Sequence, residues 1–204
     1  MSLTLRPGKP EDATVCGTIC YEAFKAIAAQ HNFLPSYASP EVALEQMVER
    51  LTHPGFYAVV AELDGRVVGS NFLDERSPIE GLGPITVDPT VQNRSIGRHL
   101  MQDVLDRVAT QRRLGVRLVH AAYHTRALSL YAKMGFAVRA RPRVPRGRPP
   151  DTHEPGILSG ACRGVFAIGA LLTLPRRLAV AWRIGWQLGH CTVTRRVDRP
   201  FRMG

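Results

Sequence analysis

Pro84-Ile85-Thr86-Val87-Asp88-Pro89-Thr90-Val91-Gln92-Asn93-Arg94-Ser95-Ile96-Gly97-Arg98-His99-Leu100-Met101-Gln102-Asp103-Val104-Leu105 is the stretch whose reading decides the fold. It reads as strand, loop and helix. The β-branched run Ile85-Thr86-Val87 suits a strand, and Asp88-Pro89 ends it, because proline cannot donate to a ladder and restricts the residue before it. Beyond the polar loop, Ile96, Leu100, Met101, Val104, Leu105 and Val108 recur at spacings of three and four. One helical face is therefore apolar, while Arg98, Gln102, Asp103 and Arg107 face outward. The N–H groups of the first helical turn have no carbonyl to meet within the helix, so they make an anion site at the strand end.

Working outward, Leu3-Thr4-Leu5-Arg6 alternates and stops at Pro7-Gly8, a first strand and turn. Pro10-Glu11-Asp12 opens a helix with Cys16, Ile19, Cys20, Ala23, Phe24 and Ile27 on its buried face; the two cysteines, one turn apart, read as core packing. Ser39-Pro40-Glu41 opens a second helix, Ser39 as N-cap and Pro40 at the first helical position. Phe33 and Tyr37, in the segment between, are candidates for an acceptor site, with loop packing as the alternative role. Two apolar runs, Phe56 to Leu63 and Arg66 to Leu73, flank Asp64-Gly65, which favours a two-residue hairpin with positive φ. Ile79 to Val87 is the next strand, interrupted by Gly81 and Gly83. Val116 to Ala122 is a strand, Ala127 to Met134 a short helix closed by Gly135 as a left-handed C-cap, and Phe136 to Arg139 a further strand. The order βααβββαβαβ implies an α/β (α+β) fold: a mixed, mostly antiparallel sheet with helices on both faces, rather than a doubly wound parallel sheet.

Composition narrows the function classes. The chain has 204 residues, 45% hydrophobic and 22% charged, as a globular domain has. Its formal net charge of +10 invites a nucleic-acid reading, but 11 Arg and 3 Lys balance 14 acidic residues up to residue 136, whereas residues 137–204 hold 13 Arg, no Lys and 3 acidic residues. All the excess lies in the tail, so the core is not a polyanion binder. No leader pattern or long apolar run is present, and a cytoplasmic location is the expectation. The four cysteines lack the paired spacing of a disulfide framework or zinc site, so no metal is expected. There is no G-x-x-x-x-G-K-[ST] segment, and Gly81-Leu82-Gly83 precedes a strand rather than opening a helix, so neither common nucleotide fingerprint is present.

The loop residues Gln92-Asn93-Arg94-Ser95-Ile96-Gly97 resemble the acyl-CoA-binding signature Q/R-x-x-G-x-G/A of the GNAT superfamily of acetyltransferases, placed as in that family between a strand and the third helix. Ala127-Leu128-Ser129-Leu130-Tyr131-Ala132-Lys133-Met134-Gly135-Phe136 is similar to its second signature, A-L-x-L-Y-x-x-x-G-F. The resemblance covers residues 3 to about 141 and implies a GNAT-like fold that uses acetyl-CoA to acetylate a primary amine of a small molecule or peptide. A CoA-binding module with impaired turnover is the alternative. By the same resemblance the backbone of Asn93, Arg94, Ser95, Ile96, Gly97 and Arg98, with Gln92 before them, cradles the CoA pyrophosphate, and Arg94 and Arg98 add charge. Ile85, Thr86 and Val87 pair with the pantetheine arm, His124 and Ser129 lie on the cofactor side, and Tyr131 is the general acid. Ser95 stands at the signature's first glycine: either it takes positive φ at a cost of about 1 kcal/mol, or its hydroxyl caps the helix. Weakened cofactor binding is expected. His124 stands where the family often has Asn and is open between polar contact and base. Asp74, Glu75 and Glu80 are alternative general bases. No nucleic-acid or membrane partner is expected; acceptor identity and oligomeric state, a homodimer included, stay open.

From Arg139 the character changes. Residues 139–150 are Arg- and Pro-rich, and no packed strand can be built from them. The domain is expected to span residues 1–141 and to be followed by an atypical tail, 142–204. In that tail, Val165 to Leu172 could form a helix, and Leu178, Val180, Trp182, Ile184 and Trp186 alternate as a strand that replaces a missing one. Arginine without lysine, starting at one point, reads as a translated shifted frame of a GC-rich gene; a basic arm is the competing reading.

Overall fold

The computed structural model describes residues 2–111, 113–140 and 190–196. Strand β1 (Leu3–Pro7) leads through a 3-10 turn at Pro10–Asp12 into helices α1 (Ala13–Gln30) and α2 (Pro40–Thr52). Strands β2 (Phe56–Leu63), β3 (Arg66–Asp74), β4 (Ile79–Leu82) and β5 (Thr86–Val87) come next, then α3 (Ile96–Thr110), β6 (Gly115–Ala121), α4 (Thr125–Lys133), β7 (Ala137–Ala140) and β8 (His190–Arg196). Among the described residues the sheet runs β1-β2-β3-β4-β6-β8-β7, with β5 paired on β3, and only the β4–β6 ladder is parallel. The mixed, mostly antiparallel sheet is thus as the sequence implied.

Strand alternation splits the core into two layers. Val60 and Phe72 face Cys16, Cys20 and Met47 of α1 and α2, all fully buried, so the two cysteines are core residues. Val59, Ala61, Leu73, Val116 and Leu118 face Leu100, Val104 and Val108 of α3 and Tyr131 of α4. Helix α3 is also pinned by polar bonds: Asn71 Nδ2 donates to the Leu100 carbonyl at 3.1 Å, Tyr57 Oη to Asp103 at 2.7 Å, and Arg107 pairs with Glu75. Arg6 grips Asp12 with both terminal nitrogens and Glu62 with Nε, tying β1 to β2 and to the start of α1.

Local turn chemistry follows the sequence closely. Asp64 and Gly65 both have positive φ, 51° and 79°, as a type I′ hairpin requires, and Gly135 closes α4 at φ 83°. Ser39 is the N-cap of α2, in extended conformation with Pro40 behind it, but its side chain makes no cap bond.

Two features differ from the sequence reading. The strand expected from Ile79 to Val87 is two strands, because Gly83 sits at φ 111° and Pro84 offers no N–H to a ladder. Register against β3 changes by one residue between Leu73↔Leu82 and Ser70↔Thr86, a bulge that sets β5 apart from β4. The second concerns the tail. The strand taken into the sheet there is His190–Arg196, which lies antiparallel between β6 and β7 and buries Val193 fully against the core. The sheet therefore draws on sequence beyond residue 141. The helix and strand expected within residues 165–187 lie outside the described residues.

Candidate active site

The loop before α3 is built from its two ends. Asp88 Oδ1 accepts from the Thr90 N–H at 2.8 Å and its hydroxyl at 2.7 Å, and Oδ2 accepts from Arg66 at 2.9 Å. Val91 and Ile96 are buried on either side of exposed Asn93, Arg94 and Ser95. Between these anchors the backbone turns through left-handed conformations at Asn93 (φ 69°) and Ser95 (φ 61°, ψ 7°). Ser95 is the N-cap residue, and its side chain makes no cap bond. Of the two expectations for Ser95, the positive φ is the one realised. Its carbonyl accepts from the N–H groups of Arg98 and His99, so the Ile96 and Gly97 N–H groups head a helix of four turns and face the open loop. Arg98 is exposed beside them. Backbone donors at a helix start, with exposed Arg94 and Arg98 on the same loop and helix start, fit a diphosphate.

The sheet opens next to this loop. Among the described residues β4 pairs with β6 only from Ile79↔Gly115 to Gly81↔Arg117, and β5 pairs with β3 alone. The Asp88 N–H bonds to the Val68 carbonyl, so alternate residues direct the backbone of Ile85 and Val87 away from β3, toward the splay. Thr86 turns inward opposite Ser70 and is buried. Of the three residues expected to offer backbone to an extended ligand, the structure presents Ile85 and Val87 and not Thr86. Close approach of β5 needs Gly69, where a Cβ would stand 2.7 Å from the Thr86 carbonyl oxygen.

Helix α4 closes the third side. A Cβ on Gly97 would meet Leu130 Cδ2 at 3.6 Å and Val87 Cγ2 at 3.9 Å, so α3, β5 and α4 converge on that glycine. Adjacent Tyr131 is 5% exposed, with His120 edge-on at 5.5 Å between ring centroids and Phe136 at 6.0 Å. Ser129 is exposed on α4. His124, the N-cap residue of α4, is held neutral: burial, with Arg126, His120 and His31 nearby, pushes its imidazole down to about 4. Gln92 spans the opening, donating from Nε2 to the Val87 carbonyl at 3.2 Å and accepting from Arg126 at 2.6 Å. Arg126 was not legible as a site residue, since its link to Gln92 is purely tertiary.

Two of the three carboxylates considered as bases are engaged in hydrogen bonds, and the third is buried. Asp74 is gripped by Arg76 at 2.7 Å through both oxygens, and Glu75 takes Arg107 and Gln111. These arginines hold both acids below the usual carboxylate range, although burial opposes them. Glu80 is fully buried with Arg113 Nε 2.9 Å away, on the face of Val116 and away from α1 and α2; burial pushes its pKa up. Phe33 stacks on Tyr123 at 4.3 Å, and Tyr37 packs edge-on against Phe24 and donates to Gln46. Among the described residues no cluster of three or more His, Cys, Asp or Glu is placed to hold a metal ion, and no helix is long and apolar enough to cross a membrane.

Residues 54–138 match the family model of the acetyltransferase (GNAT) domain. No curated protein sequence matches the chain. Among solved structures, the PaiA N-acetyltransferase of Thermoplasma acidophilum in complex with coenzyme A is similar with a TM-score of 0.58 at 20% identity, over 68% of this chain and 92% of that one. The ribosomal-protein-S18-alanine N-acetyltransferase of Escherichia coli reaches 0.61 at 13% identity, over 98% and 97%. The Salmonella typhimurium protein yncA with its cofactor acetyl-CoA reaches 0.63 at 15%, over 100% and 99%. At such identities these likenesses show the fold.

Proposed function

We propose, from the premise that this chain is a member of the GNAT superfamily and carries its acetyltransferase domain, that it transfers the acetyl group of acetyl-CoA directly to a primary amine. The observation that carries this reading is the convergence on Gly97 of the left-handed loop, the outward edge of β5 and the Tyr131 helix. Bound acetyl-CoA supplies an acyl group activated as a thioester. The Asn93 to Arg98 backbone holds the pyrophosphate, with Arg94 and Arg98 as counter-charge. Ile85 and Val87 align the pantetheine arm, and Gln92 releases the Val87 carbonyl to it. When the amine nitrogen bonds to the acyl carbon and the C–S bond breaks, the Tyr131 hydroxyl protonates the departing thiolate. An outward N–H of the same strand edge polarises the acyl oxygen. Because Asp74 and Glu75 are each held by an arginine and Glu80 is fully buried, the amine loses its proton through water rather than directly to one of them.

Thiol release on mixing the protein, acetyl-CoA and a panel of amines tests this; no release and no CoA binding would reject it. The engaged carboxylates favour one second reading, a CoA-binding module without turnover. It predicts CoA binding with no thiol release and no effect of Tyr131→Phe, whereas the transferase reading predicts a fall in kcat of roughly a hundredfold.

A further inference from the structure

Arg50 lies in the last turn of α2, partly buried, and among the described residues no carboxylate pairs with it. Among the described residues its hydrogen bonds are long ones to carbonyls, Nε to Gly83 and Nη1 to Gln46, each at 3.4 Å. Charge-assisted pairs are shorter, 2.7 Å in the Arg76–Asp74 contact next to it. Arg50 and Arg76 both lie over the Phe56 ring, at 5.4 and 4.7 Å, and the carboxylate of that corner, Asp74, is taken by Arg76. Asp74 and Glu49 act on Arg50 only at longer range, and burial lowers its pKa, the reverse of Arg6, Arg76 and Arg107 on their carboxylates. A partly buried guanidinium with no carboxylate paired to it among the described residues is costly, and the cation–π contact offsets only part of that cost.

Its position gives the cost a use. Gly83 is the break between β4 and β5, two residues or about 7 Å of strand from the outward backbone of Ile85. With a pyrophosphate at the Val87 end of β5, the arm would run toward Ile85 and its thioester would reach this break. Resting on the transferase reading, we propose that Arg50 binds a carboxylate of the acyl acceptor, which makes the acceptor a short amino-carboxylate whose amine, a few ångströms from its acid group, meets the thioester beside Gly83. The Arg50 Nη2 hydrogens, free of the two carbonyl bonds, are the donors, and the wall is completed by Gln46 one turn earlier on α2 and by Tyr37, which bonds Gln46.

The test is thiol release by the full chain with matched acceptors, glycine against glycinamide and β-alanine against β-alaninamide, with rates per unprotonated amine. The expected wild-type preference for the acid is about tenfold or more, with Arg50→Gln bringing the ratio near one and Arg50→Lys keeping part of it. Equal use of acid and amide by the wild type, or an unchanged ratio in Arg50→Gln, would overturn the proposal. A second readout does not need turnover: with CoA present, β-alanine should shift the Gly83 amide resonance in the wild type and not in Arg50→Gln. No wild-type shift overturns the carboxylate site. Absence of both CoA binding and thiol release with any amine rejects instead the transferase reading beneath it.

Discussion

Replacing Ser95 by glycine separates the backbone of the cradle from its side chains. Ser95 sits at φ 61°, ψ 7°, and its side chain makes no helix-cap bond that a substitution would forfeit. An L-residue pays about 1–2 kcal/mol in this region, and glycine removes that strain while losing about 0.5–1 kcal/mol to the greater freedom of the unfolded chain. The net gain is about 0.5 kcal/mol, which at this size raises Tm by about 1–2 °C. Ser95→Ala keeps the left-handed strain, so it should lie below Ser95→Gly in a urea titration with unchanged m. Because the loop already holds its shape with serine, CoA affinity should change less than about threefold. A glycine variant less stable than both wild type and alanine would refute this account of the loop. A tenfold gain in CoA affinity would mean that serine holds the cradle out of shape.

Other consequences follow from contacts elsewhere. Gly69→Ala puts a Cβ 2.7 Å from a backbone carbonyl of β5, so it should cost about 1–3 kcal/mol in chemical denaturation and weaken CoA binding, because β5 must move. Arg113→Leu strands the fully buried Glu80 and should cost about 3 kcal/mol, whereas Glu80→Leu with Arg113→Leu should recover most of it. His124 has its folded pKa pushed down to about 4, below its unfolded value of about 6.5. Its contribution to stability is therefore present above pH 6.5 and is lost as pH falls toward 4. A His124→Gln variant should show a flatter Tm against pH over that window, and the His124 ring protons should titrate near its lower end.

Features fixed by a few neighbouring residues were legible in the sequence. Asp64-Gly65 can make a tight hairpin wherever it stands between two strands, Gly135 ends a helix on its own geometry, and the apolar spacing of α3 needs no partner to be seen. Ser95 was legible as a departure, but which of its two outcomes holds depends on how Val91 and Ile96 anchor the loop. The break at Gly83-Pro84 was readable as glycine interruption; the one-residue shift against β3 was not, because register belongs to the pair of strands. The same limit hid β8. Cys191-Thr192-Val193-Thr194 is a short β-branched run, and only the gap between β6 and β7 gives it a place. Charged residues were least legible of all: Glu80, Asp74 and Glu75 look alike in sequence until Arg113, Arg76 and Arg107 arrive from distant positions, and Arg50 is distinguished only by having no such arrival.

The central claim is that the loop and helix start from Asn93 to Arg98 hold a CoA pyrophosphate beside the open edge of β5. Titration of CoA into the isotopically labelled protein, followed through backbone amide resonances, tests it most directly. The account predicts saturable shifts concentrated at Asn93 to Arg98 and at Ile85 and Val87, with pantetheine alone moving the strand residues but not the loop. Loop amides that stay in place at saturating CoA, or shifts confined to another face of the sheet, would contradict it.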